Sequence, residues 1–401
     1  MKFKLLVFLG SLALLMNPAN AEVQINGFAS IVTGIAIEDE TEGSAAAPDG
    51  DSDYNERTVD NLQESKVALQ WSADLGDGMR FVGQTMARGD ASTGFQLNYD
   101  WAYFDFNVGE SSKIKFGRLR IPFYKYSDYL DVGYAYHWIT PPADMYSLSF
   151  SNMDGVSYQQ NMEAMGLDQS LTIAIGTYQG LLSLGTEQVE SALENLITIN
   201  WSATMGDHEF TAAYAQADVY VPATATAGLA GVATAGGDDA NKVLINGDLG
   251  SFVGVGYKGT FGDIVIYSEY SVVKVDDSIF ADTNGGYLGM SYNMNDYTYH
   301  VTYGMREAKE KTYAAGTDAI DLGLAGGGAA SGSTLNSTSR FLGNGENTTI
   351  TIGVRKDIGT SSAIKVDLDL YNEDRVQTDQ TTAVSEEKSA TTLKFAIETM
   401  F

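Results

Sequence analysis

The sequence predicts an all-β protein: a transmembrane antiparallel β-barrel of about sixteen strands, with one connection folded into its interior. Three observations carry this. Apolar and polar residues alternate in short stretches along the chain, the period of a strand with two unlike faces. The connections between the stretches alternate between short and long. No apolar run after the first twenty residues reaches the ~18 residues that a membrane helix needs.

The stretches follow one another as Val23–Ile37, Leu62–Asp74, Met79–Gly89, Asn98–Asn107, Lys113–Gly117, Asp154–Asn161, Ser170–Tyr178 and Leu193–Thr204. Then come Glu209–Tyr220, Leu249–Phe261, Ile264–Val275, Gly285–Met294, Tyr297–Glu307, Asn347–Lys356, Ala363–Asn372 and Ala390–Phe401. An even count suits a bacterial transmembrane barrel. In Ala363–Asn372, Ile364, Val366, Leu368 and Leu370 oppose Lys365, Asp367 and Asp369. Charges opposite pure aliphatics mean that one side touches lipid and the other water. In Leu193–Thr204, Leu193, Ile197, Ile199 and Trp201 share one expected face. Met79–Gly89 and Ile264–Val275 alternate less cleanly.

Short connections at Leu75–Gly78, Met205–His208, Gly262–Asp263 and Asn295–Asp296 are rich in Gly, Asn and Asp, which supply the positive φ of tight hairpins. Long ones cover Glu38–Asn61, Arg118–Met153, Val221–Asp248 and Ala308–Glu346. Membrane barrels put short turns on one side of the bilayer and long loops on the other. A soluble sandwich explains the strand alternation but not the loop alternation. Ala223–Gly237 and Gly323–Gly332, rich in Ala and Gly, read as surface inside long loops.

The N-terminus reads as a secretory signal, residues 1–21: Lys2 and Lys4, the apolar Leu5–Met16, then the small-residue site Ala19-Asn20-Ala21. Residues 22–401 then form a single barrel domain. The formal charge of -28 fits a solvated acidic surface, or outer loops that bias traffic toward cations. Nucleic acid is excluded as a partner, because phosphate binding needs a basic patch. With no Cys there is no disulfide framework and no thiolate metal site. Asp49, Asp51 and Asp53 imitate the start of a Ca²⁺ loop, but Tyr54 stands where the sharp turn needs Gly. The three His cannot be assembled with a Ser and a carboxylate by spacing. No enzyme, metal or cofactor is expected.

The last strand places Leu393, Phe395, Ile397 and Phe401 on one side and Lys394, Ala396 and Glu398 on the other. An exported chain ending in this way resembles bacterial outer-membrane barrels, in which the terminal aromatic strand, here Phe401, is the assembly signal. Lys113–Asp154 is too aromatic for a loose outer loop and must bury its surface somewhere. Folding it into the lumen solves this. That stretch, with Gly117-Arg118 and then Pro122 at its root, resembles the trimeric general porins of Gram-negative outer membranes, whose third loop narrows the pore. The resemblance implies passive diffusion of ions and small hydrophilic solutes. It also implies a homotrimer, contact with outer-membrane lipid and lipopolysaccharide, and insertion by the barrel assembly machinery.

Charge placement suggests how such a pore would work. Lumen-facing bases are expected at Lys66, Arg80, Arg88, Lys113, Lys115, Arg306, Arg355 and Lys365, with Lys394 beside them. Most belong to one wall if the last strand closes against the first. The inward loop (about 118–153) carries Asp128, Asp131 and Asp144, and Arg118 and Arg120 sit at its root. Opposed charges across a narrow opening make a transverse field. Alternatively, Arg118 and Arg120 only pin the loop to the wall. Two rival functions are a sugar-type channel with Tyr136 and Trp138 as a stacking slide, and a non-conducting adhesive barrel.

Overall fold

The structure, a computed structural model, describes residues 22–39, 54, 58–89, 94–148, 150–184, 187–222, 245–276, 278, 280–309, 320–324, 328–330, 345–379 and 382–401. The expected signal segment and Asp49, Asp51 and Asp53 lie outside the described residues, as does Ala223–Gly237.

Eighteen strands are described: β1 (Val23–Asp39), β2 (Lys66–Gly76), β3 (Met79–Arg88), β4 (Leu97–Asn107), β5 (Ser112–Arg120), β6 (Asn152–Ala164), β7 (Leu167–Leu184), β8 (Glu187–Met205) and β9 (His208–Tyr220). They continue with β10 (Asn246–Phe261), β11 (Ile264–Val275), β12 (Asp282–Met294), β13 (Tyr297–Lys309), β14 (Ile320–Leu324), β15 (Gly328–Ala330), β16 (Gly345–Ile358), β17 (Ser362–Asp379) and β18 (Thr382–Met400). Sixteen of them close one antiparallel barrel in chain order, and β14 and β15 pair separately within the connection after β13. The last strand closes the cylinder against the first, with Val32 opposite Ala396 and Phe28 opposite Met400. Closure removes every sheet edge, which a membrane demands.

All sixteen expected stretches fall on barrel strands, including the two that alternate poorly. Tight turns collect at one end. Asp77, Met165 and Asn295 there hold φ of 51°, 58° and 54°, beside Gly76, Gly78 and Gly166. The outward face is a continuous apolar band: Ile31, Phe116, Val255, Ile352 and Ile397 are each at least half exposed. Hydrocarbon, not water, satisfies such a surface. β7, β8, β17 and β18 have 18 or 19 residues each, well beyond the ~10 needed to cross a bilayer, so two hairpins project past the membrane at the loop end.

Most strands run longer than expected, and three differences bear on the interior. Leu62–Ser65 is a turn, not strand: Asp60 accepts the Leu62 N–H at 2.7 Å and Glu64 takes φ 59°. β5 runs on to Arg120 and β6 begins at Asn152, so the inward loop is 121–151 rather than 118–153. Leu193 lies inside rather than on the outward face. The register of β8 against β9 shifts between Glu194 and Ile197, where Asn195 has φ 51°. One extra residue there flips the parity, and Leu193 and Leu196 are both buried in the interior.

Candidate functional site

Loop 121–151, the third connection at the loop end, enters the lumen. It is too apolar to sit in water, and it buries Phe123, Tyr126, Tyr136, Trp138, Ile139 and Met145 inside the barrel. Two 3-10 turns, Ser127–Tyr129 and Gly133–Ala135, bend it back on itself. Wall side chains then satisfy its backbone and charges in four places.

The first anchor is Asp131, buried against β2, β3 and β5. Arg88 and Arg120 each reach it at 3.1 Å and Lys66 at 3.7 Å. Asp100 of β4 holds the Arg88 guanidinium from the other side, at 3.0 and 3.1 Å. Burial alone would raise the Asp131 carboxyl; Arg88, Arg120 and Lys66 override it and hold the group well below the usual carboxylate range. Arg120 Nε also donates to the Ser127 carbonyl at 2.9 Å.

The second anchor uses β16, β17 and β18. Arg355 donates to the carbonyls of Tyr134, at 2.6 Å, and Tyr136. Lys365, fully buried, donates to the carbonyls of Gly133, at 2.7 Å, and Trp138, and pairs with Glu398. Gly133 leaves room for the Glu398 carboxylate, since a Cβ there would fall 2.1 Å from one of its oxygens and displace it. Asp367 accepts the Ile139 N–H at 2.8 Å.

The third anchor is aromatic. Trp138 Nε1 donates to Thr302 of β13 at 2.8 Å, and its ring meets Tyr267 edge-on at 4.9 Å. His137 packs at a tilt against the same Tyr267 at 4.4 Å and meets His300 at 4.9 Å. His300 Nε2 lies 3.2 Å from Asp367. Burial pushes the His137 imidazole well below its ordinary value, and His300, Lys365, Arg355 and Lys258 add to it.

The fourth anchor lies on β9 to β12 and β16. Asp144 accepts from Asn347 and from Thr349 at 3.2 Å, and burial pushes its carboxyl up to about 6. It fits because β13 presents Gly304, where a Cβ would sit 2.1 Å from Oδ2. Tyr146 and Tyr287 both donate to Glu269, which also accepts the Lys125 N–H at 2.9 Å. Lys125 and Lys258 pair with Glu209 at 2.6 and 3.0 Å.

The loop is therefore strapped to walls on opposite sides of the barrel. Toward the short-turn ends of β3 to β5, beyond the first anchor, charged wall side chains stay part-exposed. Asp128 and Tyr129 are exposed on the loop. On the wall, Arg80 pairs with Asp105 at 2.8 Å and Lys113 reaches the same carboxylate at 3.8 Å. Lys115 sits 5.4 Å over the Tyr103 ring.

The sequence-expected residues thus divide. Lys66, Arg88, Arg120, Arg355 and Lys365 touch the loop directly and hold it, instead of facing it across a gap. Asp131 and Asp144 are the matching loop groups, at different walls. Arg306 lies near Asp144. Arg80, Lys113 and Lys115 lie near the short-turn ends of β3 and β5, and Asp128 is exposed on the loop. Arg118 is a correction. β5 continues past it, so it has the parity of Phe116 and faces outward, held by Asp154 of β6 at 2.8 and 2.9 Å. Tyr136 and Trp138 are 3% and 1% exposed, which removes them as a stacking slide. Phe401 is exposed on the outward face and exchanges backbone hydrogen bonds of 2.7 and 2.9 Å with Gly27. Asp367, Glu398 and Thr302 were legible as polar-face positions, but nothing in the alternation names a loop partner; Asp100, at the β4 register shift between Tyr99 and Trp101, was not singled out.

A closed sixteen-strand barrel with an inward third loop is the architecture of outer-membrane porins, and solved structures bear this out. The chain matches the outer-membrane channel DcaP of Acinetobacter baumannii at TM-score 0.59 and 12% identity, covering 96% of this chain and 99% of that one. It matches the anion-selective porin of Comamonas acidovorans at 0.55 and 14%, covering 95% and 100%. It also matches OmpF of Salmonella typhi, in complex with daunomycin, at 0.54 and 14%, covering 95% and 98%. No protein-family signature matches the sequence and no curated protein does. At these identities the likeness establishes the fold: this chain is a porin-fold transmembrane barrel.

Proposed function

We propose that the chain is a passive diffusion channel of the bacterial outer membrane, carrying ions and small hydrophilic solutes down their gradients without a covalent step. The observation that supports this best is a loop anchored inside the lumen to opposite walls, with charges of both signs left part-exposed, Arg80 and Lys113 on the wall and Asp128 on the loop. Charges of both signs around one narrow passage orient water, so apolar solutes pass poorly. Export by the N-terminal signal, assembly through Phe401 and a homotrimer in lipopolysaccharide-bearing membrane complete the reading. A preference for cations is inferred from the acidic total and from Asp128, exposed on the loop.

Planar-bilayer recording under a salt gradient tests it. A steady ohmic conductance with a reversal potential favouring cations is expected. A correctly folded barrel that gives no steady current would leave only a structural role.

A further inference from the structure

The connection between β1 and β2 reaches the inward loop as well as crossing the loop end. Tyr54 and residues 58–65 fold back onto the inward face of β1. Gly34 and Asp60 exchange backbone hydrogen bonds of 2.8 and 3.0 Å, and Ser65 Oγ accepts the Val32 N–H at 2.9 Å. Tyr54 is buried over Gly34, where a Cβ would come within 2.5 Å of its ring. This arrangement delivers Glu64 to a point where three segments meet. Tyr54 donates to its carboxylate at 2.8 Å, Lys394 of β18 lies 3.2 Å away, and Thr140 of the inward loop donates to it too. The preceding loop residue, Ile139, packs on Val32 of β1 and Ala396 of β18, so the turn and the loop share Val32.

Two observations separate Glu64 from a simple counter-ion or turn residue. Lys394 also pairs with Asp369 at 2.9 Å, so its charge does not depend on Glu64 alone. Glu64 takes φ 59°, a left-handed backbone that Gly or Asn adopts at less cost. Either would serve the turn better; what Glu adds is a carboxylate that reaches Thr140. We propose that Glu64 is a positioning residue for the passage, tying the connection after β1 to the inward loop so that the placement of 137–140 depends on the seating of Tyr54 and its turn. The effect on current rests on the diffusion-channel reading; the tie between connection and loop does not.

Hydrogen exchange of the full barrel in detergent, read by mass spectrometry, tests the tie without requiring current. The amides of 137–140 should exchange roughly tenfold faster in Glu64→Gln, the worth of one hydrogen bond to a charged group. Glu64→Asn suits the left-handed backbone but is shorter by one methylene. A merely structural turn residue predicts no loss there, whereas the positioning role predicts the same acceleration. Tyr54→Phe, which keeps the ring and drops the hydroxyl, should accelerate the same amides about threefold. Each variant is first checked for the heat-modifiable gel mobility of a folded barrel, and Thr140→Val opens the same contact from the loop side if a Glu64 variant fails that check. In planar bilayers Glu64→Asn should raise open-channel noise. Unchanged exchange at 137–140 in the Glu64 variants, or in Tyr54→Phe, overturns the tie. Faster exchange with unaltered conductance and noise in a conducting barrel overturns the role in positioning the passage. A silent wild type overturns the channel reading and with it that role, while the exchange result still decides the tie.

Discussion

Replacing Asp131 with Asn isolates one anchor of the loop. Asp131 is held by three bases, with guanidinium contacts of 3.1 Å from both Arg88 and Arg120 and an ammonium at 3.7 Å. Removing one partner of a buried ion pair costs about 3–5 kcal/mol, because the remaining charges stay buried. Here the loss falls between the docked and undocked forms of the segment around 127–133. At 1.4 kcal/mol per tenfold, the ratio of those forms moves by roughly 10²–10³. The rest of the loop stays fixed through Lys365, Arg355 and Trp138, so the barrel itself remains folded. Single-channel recording should show a changed conductance and strongly increased open-channel noise, while heat-modifiable mobility stays that of the wild type. Unchanged conductance and noise in D131N would refute the anchor account. The sign with pH is defined too. The carboxyl is depressed, so its stabilisation is present above the ordinary Asp range of ~4 and disappears only as pH falls further, through the depressed value. Mild acid should leave this anchor intact.

The His137 contact weakens in the same direction, as pH falls, but over a higher range. Burial favours its neutral form, so docking there is fully stable above ~6.5 and weakens as pH falls below it; recordings from pH 8 to 4.5 should show the change setting in below ~6.5, and His137→Gln should abolish it. Asp128→Asn should shift the reversal potential toward anions and Arg80→Ala toward cations. Arg118→Ala, outward on the barrel, should leave conductance and reversal potential unaltered; a changed reversal potential in that variant would contradict its placement. Deleting Phe401 should lower the yield of barrel in outer membranes severalfold while refolding of the purified chain into detergent persists, as read on unheated gels.

How much was legible in the sequence depends on range. Period-two alternation in Tyr297–Glu307 and Ala363–Asn372 is a local consequence of the pleat, and it gave the strands, the faces and the inward position of Lys365. Short turns announced themselves through Gly, Asn and Asp. The aromatic content of Lys113–Asp154 required an interior for that loop. Local pattern failed at β5, where the strand continues past Gly117 and turns Arg118 outward, and at Asn195, where one bulged residue reversed the parity of Leu193.

The sequence by itself therefore determined a closed transmembrane barrel with an inward third loop, since alternation, turn chemistry and buried aromatics are properties of neighbouring residues. Only the tertiary structure decided which charges meet. Asp131 with Arg88 and Arg120, Lys365 with the Gly133 carbonyl, and His137 with His300 join positions far apart in the chain. Such pairings arise from how the loop drapes across the cylinder, and no local periodicity encodes that path.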